Sequence, residues 1–77
     1  MDNETFERAS EIKGKIAKLQ YDLAAIEGSS VQVIFIRTGK PQIGVDIPVE
    51  KAEELHNFIL EDYHKRIDEL QKEFDAL

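Results

Sequence analysis

From Glu4 to Glu27 the apolar positions Ala9, Ile12, Ile16, Leu19, Leu23 and Ile26 recur three and four residues apart. That spacing lines one stripe of an α-helix, so the pattern predicts an amphipathic helix over 4–27. Asn3 is the expected cap, Glu4 and Glu7 sit in the positively polarised first turn, and Gly28 is placed to stop the helix in a left-handed conformation. Gly14, in the interior, weakens a helix by about 1 kcal/mol relative to alanine, which suggests a close packing contact there.

After the short linker Gly28-Ser29-Ser30 the period changes. Val31 to Arg37 is β-branched and aromatic, and Ile43, Val45 and Ile47 alternate with Gln42, Gly44 and Asp46. These runs predict strands over 31–37 and 42–47, joined through Thr38-Gly39-Lys40-Pro41 as a hairpin with a loop looser than a two-residue turn, because Pro41 has no N–H. The register is open by one residue.

Pro48 suits the first position of a second helix, predicted over 48–76 with Asp46 or Ile47 near its cap. Leu60, Tyr63, Ile67, Leu70, Phe74 and Leu77 keep heptad spacing, whereas Ala52, Leu55 and Ile59 are shifted by one position, a stutter. The broadened face at Phe58, Ile59 and Leu60 points to packing of this half on the sheet. The other half would pack on the first helix.

Laid antiparallel, the two seams match apolar with apolar, setting Ala9 against Leu77, Ile12 against Phe74, Ile16 against Leu70, Leu19 against Ile67, Leu23 against Tyr63 and Ile26 against Leu60. Lys15 then lies near Glu73 and Asp22 near Arg66. The expected fold is α+β, one domain over 1–77 with the order α-β-β-α, in which an antiparallel coiled-coil hairpin carries a β-hairpin.

The first strand is apolar on both faces, and a lone two-stranded hairpin is barely stable in water. Hairpins are therefore expected to meet across a subunit boundary, with Val33, Ile34, Phe35, Ile36, Ile43 and Val45 as the oligomer interface. Size agrees with this. A chain of 77 residues without cysteine has no disulfide to reinforce a small core, so self-association is the expected remedy.

The formal net charge of −6 repels phosphate backbones and argues against generic nucleic-acid binding. No apolar run approaches the roughly 20 residues of a membrane span, the first residues are acidic where a signal peptide is basic, and the absence of cysteine suits a reducing compartment. A cytoplasmic location is expected.

Chemistry-bearing residues are sparse. His64 lies within a turn of Glu61 and Asp68, a spacing open to a metal-dependent enzyme, but a solvated helix face, where His, Asp and Glu are common, is the preferred reading. No metal ligand set, cofactor or catalytic residue is assigned. His56 falls where the seam shifts and is expected to be partly buried and hydrogen-bonded. Arg37 and Lys40 flank the hairpin tip as the one basic spot away from the helices, and with Tyr21 they form the candidate site for an anionic ligand.

The order helix, hairpin, helix resembles the β-type subunit of prefoldin. That resemblance implies assembly through the hairpins, with helix ends around Phe6, Phe74 and Leu77 as contact points of a holdase or a structural assembly component. The chain is also similar to small acidic accessory proteins of phages and prophages, some of which inhibit or sequester components of bacterial defence. The leading expectation is a non-catalytic oligomeric binding protein whose partners are itself and either a host protein or a small ligand held between subunits.

Overall fold

The computed structural model describes residues 2–77 as α1 (Asn3–Glu27), β1 (Val33–Phe35), β2 (Ile43–Val45) and α2 (Val49–Asp75). The expected α+β arrangement is present, with contacts between the two helices and an antiparallel hairpin between them in sequence. The ends of the elements differ in instructive ways. Asp2, not Asn3, caps α1: its backbone is extended and its Oδ1 accepts the Thr5 N–H at 2.7 Å. The same bond holds the Asp2 carboxyl below its ordinary pKa, because the amide favours the charged form. Asn3 is thereby the first helical residue.

At the other end Gly28 has φ of −90° and not the expected left-handed conformation. Ser29 closes the helix in its place, donating its N–H to the Ile26 carbonyl at 3.0 Å and its hydroxyl to the Ala25 carbonyl at 2.6 Å. A serine that satisfies two terminal carbonyls removes the need for a left-handed glycine. Pro48 is the cap of α2 and not its first residue. Its ψ of 147° is extended, while its carbonyl already accepts the N–H groups of Lys51 and Ala52.

Ala9, Ile12, Ile16 and Leu23 are the buried side chains, all on the predicted stripe of α1, and Ile12 is only 3% exposed. Across from them Ile59, Leu60, Tyr63, Ile67, Leu70 and Phe74 are half-buried. The asymmetry follows from shape. The molecule measures 52 × 32 × 16 Å, so a single layer of helices has no second layer to cover it.

The polar contacts between the helices differ from the expected ones. Glu73 pairs with Arg8, not with Lys15, and His56 reaches the Ile26 carbonyl where Leu60 was expected opposite Ile26. Asp22 and Arg66 make no pair with each other but bond within their own helices, to Lys18 and Asp62, each at 2.9 Å. Lys13 lies over the Phe74 ring, 5.3 Å from its centroid, in keeping with the expected pairing of Ile12 with Phe74. Gly14 has open space where a side chain would begin, so no close contact accounts for it.

In the hairpin Val33 pairs with Val45, Ile34 with Gly44 and Phe35 with Ile43. The ladder is shorter than the predicted strands. Residues 36–42 form the connection, in which Gly39 takes φ of +69° and the Lys40 N–H reaches back to the Arg37 carbonyl at 3.5 Å. The tight turn needs the positive φ at Gly39, which any side chain would strain. Among the described residues no strand Cα comes within 8 Å of a helix Cα, and the base of the sheet and the first half of α2 flank a groove in place of the expected close packing.

Candidate functional site

Cross-strand partners share a face of the ladder, so Val33, Phe35, Ile43 and Val45 project to one side of the hairpin and Ile34 to the other, over Gly44. All are apolar. Val33 is half-buried, but Ile34, Phe35, Ile43 and Val45 are exposed, as is Ile36 just beyond the ladder, with Phe35 at 60% and Ile36 at 80%. Val49, Leu55 and Phe58 in the first half of α2 are also exposed. Apolar side chains concentrated on two three-residue strands leave a contact surface with no partner inside the chain.

Where the hairpin leaves the helices, its base and the start of α2 enclose an open groove of about 760 Å³. Val31, Val45, Ile47, Val49 and Ala52 supply its apolar walls, and Asp46 and Glu53 are its two carboxylates. His56 stands at the inner side. Its Nε2 lies 2.8 Å from the Ile26 carbonyl, which only accepts, so the ring carries its proton on Nε2 and donates. The expectation of a partly buried, hydrogen-bonded His56 is met, and its partner is one of the terminal carbonyls that a helix leaves unsatisfied.

The candidate ligand residues do not converge within one chain. Arg37 donates from Nε and Nη2 to the Pro41 carbonyl at 3.2 and 3.1 Å, so part of its hydrogen-bonding capacity holds the loop together. Lys40 is exposed beside it. Tyr21 is exposed on α1, and none of the three lines the groove. His64, Glu61 and Asp68 are likewise spread on a solvated helix face, and among the described residues no group of three His, Cys, Asp or Glu is arranged to hold a metal ion. No helix of the described residues is long and apolar enough to cross a membrane.

Sequence reasoning located the hairpin surface but missed the groove. Asp46 and Glu53 carry no periodic signal that distinguishes them from the other acids of the chain, and the cavity depends on how the hairpin base is set beside α2. Compared with protein-family models, with curated proteins and with solved structures, the chain matches none. The likeness to prefoldin rests on the order of elements.

Proposed function

We propose that the chain is a non-catalytic, self-associating binding protein that works through its hairpin, of the accessory kind that blocks a host protein or encloses a small ligand between copies. The exposed cluster of Ile34, Phe35, Ile36, Ile43 and Val45 carries this reading. Burying apolar surface is worth roughly 25 cal/mol per Å², and this cluster has no means of gaining it within one chain. The groove offers little for catalysis, since its histidine already gives its Nε2 proton to the Ile26 carbonyl.

Light scattering after gel filtration, repeated over a dilution series through the micromolar range, tests the proposal. A mass above that of one 8.8 kDa chain, falling on dilution, supports it. A well-folded chain that stays at one-chain mass throughout contradicts it.

A second reading, a holdase, draws on the opposite end of the molecule. Phe6 is 64% exposed and Leu77 is exposed as well, near the Arg8–Glu73 contact that brings the two helix ends together. Suppression of aggregation of an unfolding client, lost in Phe6→Ser, would favour this reading over a specific inhibitor.

A further inference from the structure

The two edges of the hairpin differ. β2 is bracketed by Pro41 and Pro48 and has Gly44 at its centre, whereas β1 lies in the unbroken, proline-free run Val31 to Arg37. Proline has no amide to give, so the β1 edge is the one able to extend a ladder. Charge is also divided. Residues 28–48 contain Arg37, Lys40 and Asp46, a net +1, which leaves −7 on the rest of a chain whose total is −6. Both positive charges are at the hairpin tip, and the groove at the hairpin base contains Asp46 and Glu53 without a lysine or arginine. A hairpin does not reach its own base with its own tip: Val31 and Arg37 are about 20 Å apart along an extended strand.

We propose, on the basis of the self-association reading, that β1 pairs antiparallel with β1 of a second copy about a twofold axis near Ile34. This register sets Arg37 across from Val31 of the second copy, and Val31 lines the groove. Each tip is thereby delivered to the other copy's groove, where Arg37 and Lys40 face Asp46 and Glu53. The sheet grows from two strands to four, in the order β2-β1-β1-β2, and so passes the size at which a sheet becomes independently stable. The contact is isologous, and both tip-to-groove contacts form together.

A charge swap tests this geometry. Arg37→Glu/Lys40→Glu places acids against the acidic groove, and Asp46→Lys/Glu53→Lys places bases against the basic tip. Each variant alone is expected to show a dimer dissociation constant weakened by roughly a hundredfold, as like charges are forced together. An equimolar mixture is expected to recover the dimer, because each tip then meets a groove of opposite sign. Helicity by circular dichroism checks that both variants fold, and Lys40→Glu, which leaves the Arg37 bonds to Pro41 intact, provides a milder form of the tip variant. Folded variants that dimerise as tightly as the parent, or a mixture that stays monomeric, overturn this geometry while leaving self-association standing. A parent chain that is monomeric at every concentration overturns both.

Discussion

The helix pair and the hairpin are written in equally apolar residues, yet one is provided for within the chain and the other is not. The stripe of α1 finds its complement on α2, where Ile12 retains 3% of its exposure. The hairpin's stripe is left largely open, and Phe35 retains 60%. Apolar sequence therefore predicts burial only where topology supplies a second surface. A thin, single-layered molecule supplies one for its helices and leaves its two strands to find theirs elsewhere.

Substitutions in the two regions should separate accordingly. The largest effect is expected from Ile12→Ala, which removes side-chain volume from the best-packed position and costs about 2–5 kcal/mol. Against the stability of roughly 0.05–0.15 kcal/mol per residue usual for domains, that is enough to unfold much of the population, visible as lost helicity in a urea titration. Phe35→Ser is its counterpart. At dilutions where the chain is monomeric it should leave helix unfolding unchanged to within about 0.5 kcal/mol, while removing concentration-dependent association. Equal destabilisation by the two substitutions would erase the distinction between the regions.

Smaller effects sharpen the helix side of the comparison. His56→Ala deletes the donor to the Ile26 carbonyl and is expected to cost about 1 kcal/mol. Gly14→Ala should act in the opposite sense, raising stability by up to about 1 kcal/mol, because a side chain there enters open space in a helix interior. The smallest effect belongs to the exposed cap. Asp2 has a folded-state pKa below its ordinary 3.8, so its contribution is present above that value and is lost as pH falls through the lower, folded-state pKa. Asp2→Ala should lower the thermal midpoint slightly at neutral pH. The difference from the parent should vanish in acid below that window.

Periods of 3.6 and 2 made the order of elements, the two seams and the exposed strand residues legible in the sequence. The polar contacts between the helices were not, because long charged side chains reach several partners and His56 bonds to a backbone carbonyl that no pattern reveals. The caps were misplaced by a residue for a related reason: Asp2, Asn3 and Ser29 all have capping side chains, and only the local chain path selects among them. Arg37, Lys40 and Tyr21 were legible as individual charges and rings. Their separation was not, since nothing in the alternation of a strand says where its turn lies relative to α1.

Hydrogen–deuterium exchange measured at high and low protein concentration bears most directly on the central claim that the helices are sustained within one chain and the hairpin between chains. The account predicts that amides of residues 33–36 lose protection on dilution while those around Ile12 and Ile16 keep theirs. Protection of the hairpin that is strong and independent of concentration would contradict it.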